Sequence, residues 1–236
     1  MEKRILSKRV EKILSVLKKL FPDARIILNY SSELELLVAV ILSAQCTDKM
    51  VNRVTEKLFK KYRTLNDYVK ANPNEFEKDI HSAGFFRNKT KNILATAKII
   101  KKKFKGKVPD TMSDLLTLPG VARKTANVVL GNAFGKNEGI AVDTHVRRLS
   151  RVLGLSTHND PNKIEKDLIE IVPKKDWLKF TYLLIEYGRK FCTARKHDHK
   201  NCPLTKVDSV TRDPFSPARL SPPKAGNPLL GESPHS

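Results

Sequence analysis

The sequence predicts an all-α protein. Three observations carry that expectation. Nearly every segment from Glu2 to Lys190 repeats apolar residues at helical spacing. Helix start and stop signals recur along it. No stretch alternates apolar and polar residues between hairpin-type turns, and the short run Arg25 to Leu28 is the one weak strand candidate.

The first element is "MEKRILSKRVEKILSVLKKLF", where Ile5, Val10, Ile13, Leu14, Leu17 and Leu20 fall on one helix face. Its polar start, with Glu2 and Glu11, reads as a folded amphipathic helix and not as a signal segment. Ser32 and Glu35 form a capping-box pattern that opens "ELELLVAVILSAQC", apolar almost all round and therefore expected to be buried. "PNEFEKDIHSAG" stops at Gly84, a position suited to a left-handed helix end. In "NKTKNILATAKIIKKKF" the stripe Ile93, Leu94, Ala97, Ile100 and Phe104 faces inward, with the lysines opposite on a solvated face. "TMSDLLTL" and "RKTANVVLGNAF" flank Pro119-Gly120-Val121, and Leu115, Leu116 and Leu118 are expected to pack on Ala126, Val129 and Leu130 as a helical hairpin. "DTHVRRLSRVLG", "NKIEKDLIEIV" and "DWLKFTYLLIEYGRKF" continue the helical series. After Asp208 prolines, serines and glycines dominate, so residues 209–236 are expected to be a disordered tail.

Composition narrows the function. The chain has 236 residues, with 45 lysines and arginines against 25 acidic residues and a formal net charge of +20. A surplus of that size creates a field that attracts polyanions, with nucleic acid the leading partner and an anionic membrane surface second. No apolar run approaches the roughly 20 residues of a spanning helix. Three cysteines, Cys46, Cys192 and Cys202, are too few and too odd in number for a secreted disulfide scaffold. The expectation is a protein of a reducing compartment, cytoplasmic and associated with DNA, with no membrane partner.

The turn between the two hairpin helices presents backbone amides of Gly120 to Ala122 at a helix start, where orphan N–H groups and the helix dipole favour an anion. On so basic a chain, a DNA backbone phosphate is the expected anion. "LPGVARKTANVV", followed nineteen residues after Lys124 by Asp143 in "VDTHVRR", resembles the helix-hairpin-helix base-excision glycosylases, and within them the endonuclease III family. "LLVAVILSAQCTDKMVNRV" is similar to that family's early buried helix and the turn at its end. The resemblance runs nearly collinearly from about Val10 to Cys192.

The chemistry follows from the residue types. Breaking a nucleoside N-glycosidic bond needs a nucleophile at C1′ and stabilisation of an oxocarbenium-like centre, which a lysine amine and an aspartate can supply. The amine must be neutral to attack, and both Arg123 beside Lys124 and the nearby helix start disfavour a second positive charge. Attack by an amine leaves an imine, which acidifies the 2′ protons, and β-elimination then cuts the strand 3′ to the lesion. Lys124 and Asp143 are thus the expected catalytic pair, as the resemblance also implies. Asp143 is in addition a helix N-cap candidate, and His145 is assigned no catalytic role. A stacked base must be flipped out to be reached. The resemblance assigns filling of the resulting hole to Gln45 and Phe85, although Gln45 also reads as a helix C-cap and Phe85 as core packing. It places DNA contacts at Gly120, Val121, Ala122 and Arg123. Ala122 stands where many relatives have glycine, so that position is either helical or differently turned.

The family closes its domain with a [4Fe-4S] cluster on C-x6-C-x2-C-x5-C. Laid from Cys192, that pattern meets His199, Cys202 and Asp208, so two of four thiolates are missing. Three readings compete: a cluster kept by histidine and aspartate, a zinc ion on Cys192, His199, Cys202 and Asp208, or a metal-free loop packed by Pro203, Leu204 and Val207. The metal-free loop is preferred.

The resulting expectation is a monomeric two-domain enzyme. Residues 26–136 form one helical bundle, with the hairpin at about 113–134. Residues 1–25 and 137–208 form the other, ending in the altered cluster loop at 192–208. Lys124 and Asp143 stand in a DNA-binding cleft between them. The implied activity is a DNA glycosylase with AP lyase activity on oxidised pyrimidines and abasic sites in duplex DNA. The alternatives are an oxidised-purine or adenine glycosylase on the same fold, or a non-catalytic helix-hairpin-helix DNA-binding protein.

Overall fold

The computed structural model describes residues 2–195, 197, 199 and 202–208, with side chains described from Lys3 to Thr205 within that set. The expected tail at 209–236 lies outside it. The described residues form helices only: α1 (Glu2–Leu20), α2 (Glu33–Leu42), α3 (Asp48–Lys61), α4 (Leu65–Lys70), α5 (Pro73–Ile80), α6 (Phe86–Lys103), α7 (Met112–Leu115), α8 (Arg123–Ala133), α9 (Thr144–Val152), α10 (Pro161–Ile171) and α11 (Trp177–Lys190), with short 3-10 turns. The Arg25 to Leu28 run is irregular backbone. A lone extended segment with no partner strand cannot satisfy its backbone as a sheet.

Side-chain caps start most of these helices. Ser32, Thr47, Thr64, Asn72, Thr111, Asp143 and Asp160 each accept a backbone N–H of the first turn of α2, α3, α4, α5, α7, α9 and α10. The box at α2 differs from the expected one. Ser32 Oγ accepts the Glu35 amide, but the Glu35 carboxylate reaches back to the amide and hydroxyl of Ser31, at 2.6 and 2.7 Å. Gly84 has a positive φ of 68°, but its ψ of 159° makes it a corner into extended chain and not a left-handed helix stop.

The helices build two cores. The first gathers α2 to α8, and every residue of α2 from Leu36 to Leu42 is buried in it. At roughly 1.5–3 kcal/mol for each large apolar side chain removed from water, that helix is the strongest hydrophobic element of the chain. The second core gathers α1, α9, α10 and α11 with Cys192, Cys202 and Leu204. Val10, Ile13, Leu14 and Leu17 of α1 are buried there, while Ile5 and Leu20, the ends of the expected stripe, are exposed because α1 overhangs its partners. The chain therefore starts in the second core, builds the first, and returns.

One lysine departs from the expected solvated face of α6. Lys89 is 4% exposed, and its Nζ donates to the Ala83 carbonyl at 2.9 Å. Burial pushes its ammonium below the ordinary value. It holds the turn carrying Phe85 against the start of α6.

Candidate active site

The site is built on the turn between α7 and α8. Helix α7 is a single turn; Leu115 at its end and Leu118 beyond it are buried, whereas Leu116 is 44% exposed and does not join the packing expected of it. Thr96 Oγ1 donates to the Pro119 carbonyl at 3.0 Å and pins the turn to α6. Gly120 has φ +79°, and a Cβ there would lie 2.9 Å from Asn92 Nδ2 and 3.0 Å from Asn92 Cβ. The Val121 amide donates to the Leu118 carbonyl at 3.1 Å, so it closes the turn and is not the anion donor the sequence suggested. Ala122 is neither helical nor left-handed. Its φ of −94° and ψ of 172° are extended backbone that alanine adopts without strain. Ala122 caps α8 without a side-chain acceptor, unlike the capped helices above, which leaves the N-terminal amides of α8 to an external anion.

Arg123 and Asn127, one turn apart on α8, both reach Glu165 of α10. Arg123 Nε donates to one carboxylate oxygen at 2.6 Å and Asn127 Nδ2 to the other at 2.8 Å. The Glu165 side chain is only 5% exposed. Arg123, expected to touch DNA, is thus committed to this pair. Its charge is countered by the Glu165 carboxylate. Gly139 makes room for the arrangement, because a Cβ there would collide with the Glu165 carboxylate and with Asn127.

Lys124 is the next residue of α8. It lines a cavity of about 450 Å³ together with Asp143, Gln45, Cys46, Asp48 and His145. The walls come from elements of both halves, since Gln45 follows α2 and Lys124 lies on α8 of the first, whereas Asp143 caps α9 of the second and His145 lies on it. Asp143 is fixed by capping α9, its Oδ1 accepting the Val146 amide at 2.7 Å. His145 Nδ1 is buried without a hydrogen-bond partner among the described residues. Burial pushes this imidazole below its ordinary value against the opposing pull of the Asp143 carboxylate, so the ring is neutral at pH 7. Asp48 and Arg189 join the two sides of the cavity by an ion pair of 2.6 Å. Neither was legible as a site residue, since a single acid and a single base 141 positions apart carry no motif.

Gln45 and Phe85 share an unusual backbone. Both adopt left-handed φ, 52° and 47°, and both are exposed, Phe85 by 64%. Phe85 therefore does not pack in the core, and Gln45 is not a C-cap, a position held by Ser43. Non-glycine residues in this region cost of order 1 kcal/mol and persist where the surroundings over-determine them.

The C-terminal loop also gathers functional side chains. Cys192, His197, His199 and Cys202 bring their donor atoms within 4.8 Å of one another, a group that could hold a metal ion. His199 Nδ1 lies 3.9 Å from Cys192 Sγ and 3.7 Å from Cys202 Sγ, and His197 Nε2 lies 3.6 Å from Cys202 Sγ. The side chain of Asp208 lies outside the described residues. His197 had gone unnoticed because a cysteine-spacing template tests only its own positions. Four iron atoms of a cubane need four separate ligands, overwhelmingly thiolates, spread around the cube. Two thiols and two imidazoles converging on one point do not fit a [4Fe-4S] cluster.

Known proteins share this fold and much of this sequence. Residues 38–174 match the family model of the HhH-GPD superfamily of base excision DNA repair proteins. The chain is 51% identical to an endonuclease III of Synechocystis over 199 residues, covering 84% of this chain and 91% of that one. It is 46% identical to endonuclease III of Bacillus subtilis over 201 residues, with 85% and 91% covered. A solved non-covalent endonuclease III–DNA complex superposes with a TM-score of 0.81 at 42% identity, covering 88% of this chain and 96% of that one. A trapped endonuclease III–DNA covalent intermediate superposes equally well at 43% identity, covering 85% and 94%. On sequence and fold together, the chain belongs to the endonuclease III family, within the HhH-GPD superfamily of base excision DNA repair proteins.

Proposed function

We propose that this chain is a bifunctional base-excision repair enzyme that removes oxidised pyrimidines from duplex DNA and cuts the strand 3′ to the resulting abasic site. The observation that carries the reading is the meeting of Lys124 and Asp143 in one cavity between the two cores. Its volume of about 450 Å³ suits a single flipped nucleoside. The related DNA complex and trapped covalent intermediate support both the DNA partner and a covalent route.

In this reading the Lys124 amine attacks C1′ of the flipped nucleotide and the base departs with the glycosidic electron pair, taking up a proton. Asp143 stabilises the positive charge that develops on the sugar and accepts the proton shed by the attacking amine. The resulting N,O-acetal then opens: the C1′–O4′ bond breaks, O4′ takes the proton held by Asp143, and a protonated imine is left between Nζ and C1′. Loss of a C2′ proton expels the 3′ phosphate, and water releases the enzyme by hydrolysing the imine. The uncapped start of α8 and the Gly120 turn grip a backbone phosphate beside the lesion. Gln45 and Phe85, held outward by their left-handed backbones, fill the space left by the flipped nucleotide. No step uses the C-terminal donor group. Among the described residues no helix is long and apolar enough to cross a membrane.

Borohydride reduction of the imine on an abasic duplex tests the proposal. A covalent protein–DNA adduct is expected, absent in Lys124→Ala and formed at least tenfold more slowly in Asp143→Asn. An adduct that survives in Lys124→Ala, or none from the unaltered chain, overturns it. A non-catalytic DNA-binding protein would bind the duplex and give no adduct.

A further inference from the structure

We infer that Cys192, His197, His199 and Cys202 bind one zinc ion in a closed tetrahedral site, where the family's pattern carries an iron–sulfur cluster. The spacing is C-x4-H-x-H-x2-C. Zinc–sulfur and zinc–nitrogen bonds of about 2.3 and 2.05 Å, at tetrahedral angles, set sulfur–nitrogen edges of roughly 3.6 Å. The sulfur–nitrogen separations observed are 3.6, 3.7 and 3.9 Å. The donors therefore already stand near the corners of a single ion's coordination shell.

The tautomer of His197 supports the same conclusion. Its Nδ1 lies 2.8 Å from the Arg195 carbonyl oxygen, which can only accept, so Nδ1 carries the proton. That leaves the Nε2 lone pair, the atom facing Cys202 Sγ, as the ligand. A carbonyl on the far nitrogen is the usual way a protein orients a zinc-binding imidazole. Around the rest of the shell, Thr205 Oγ1 donates to the His199 carbonyl at 2.6 Å. Arg148 donates from Nη2 to the Cys192 carbonyl at 2.5 Å and from Nη1 toward Cys192 Sγ at 3.5 Å. Both cysteines are buried, at 0% and 3% exposure. Four protein ligands leave no open position for water, so the ion is structural. It ties the end of α11 to the turn Pro203–Asp208, whose Leu204 amide donates to Tyr187 Oη at 3.4 Å and which packs on α1.

The site is tested on the untagged full-length chain, without DNA, so its outcome is independent of the proposed activity. About one zinc per chain, no iron and no visible chromophore are expected by elemental analysis. Exchange to Co²⁺ is expected to give the intense visible bands of a tetrahedral ion with a sulfur-to-cobalt charge-transfer band. His197→Ala is expected to weaken zinc binding at least 100-fold in competition with a chromophoric chelator, and His197→Cys to restore it. Asp208→Ala is expected to leave it unchanged. Iron near four per chain with a brown colour, or no zinc even when supplied, overturns the proposal. So does a pale octahedral cobalt spectrum from the unaltered chain, a result that no folding failure of a variant can imitate. Undiminished binding in His197→Ala overturns the ligand set.

Discussion

Glu165 holds Arg123 by a 2.6 Å ion pair, and the next residue of the helix is Lys124. The second carboxylate oxygen takes Asn127, so a single buried acid on α10 fixes the first turn of the helix that carries Lys124, the proposed nucleophile. Glu165→Ala leaves the buried Asn127 amide without its acceptor, while the part-exposed Arg123 can turn to water. The expected cost is about 2 kcal/mol in denaturant unfolding. The expected loss in the rate of imine formation is roughly tenfold or more and exceeds the loss in DNA affinity, because a covalent step at Lys124 demands closer placement than phosphate binding by the α8 amides, which shift with the same turn. Single-turnover trapping against equilibrium binding separates the two effects.

Gly120→Ala is expected to destabilise the first core. The substitution meets two obstacles that add: a φ of +79°, which alanine disfavours by about 1 kcal/mol, and a Cβ within 3.0 Å of Asn92 on α6. The expected total is about 1–3 kcal/mol by urea denaturation. Affinity for an abasic duplex is expected to fall as well, since the same turn aims the α8 amides. The neighbouring Ala122→Gly is expected to change stability by less than about 1 kcal/mol, because the extended backbone there suits either residue.

Acidification is expected to weaken the fold through His145. Its folded value lies below the ordinary 6.5, so above that pH it is neutral in both states and contributes no slope. As pH falls through 6.5 the unfolded chain takes up a proton that the buried ring refuses, and stability drops until the folded value is reached. The slope cannot exceed about 1.4 kcal/mol per pH unit for one such group. His145→Gln is expected to flatten the part of the curve that falls away below the ordinary 6.5, measured against the unaltered chain so that other acid-sensitive groups cancel. An identical curve in the variant would show that the ring is protonated as readily in the folded state.

How much of this was legible in the sequence depends on the kind of signal. Helix α2 could be read because the apolar run Leu36 to Leu42, one turn behind a serine cap, has few other fates. The capping role of Asp143 was legible from its position before "THVRRL", and its meeting with Lys124 only through family resemblance, since nineteen residues of spacing do not reveal a shared cavity. Lys89 was misread because helical periodicity assigns a lysine to the solvated face without knowing that a turn will fold over it. Leu116 failed for the opposite reason: with α7 reduced to one turn, the expected stripe has no second turn to continue on. Glu165, Asp48 and Arg189 join distant parts of the chain, and no local pattern marks such partners. His197 was present in the sequence all along, but a template borrowed from cysteine spacing could not weigh it.

The packing of α1 against the turn Pro203–Asp208, α10 and α11 has a consequence for synthesis. Helix α1, of the second core, leaves the ribosome before α2 to α8 of the first, and its partners α10, α11 and the turn Pro203–Asp208 follow them. At roughly 5–20 residues per second, about ten to forty seconds separate the emergence of α1 from that of the turn it packs on. During that interval the first core has every one of its helices and can close alone. Helix α1, with Val10, Ile13, Leu14 and Leu17 still uncovered, waits as an unpaired amphipathic segment. The order of assembly is thus set by the threading of the chain: the half bearing Lys124 matures first, and the half bearing Asp143 is completed only when α1 meets the turn Pro203–Asp208.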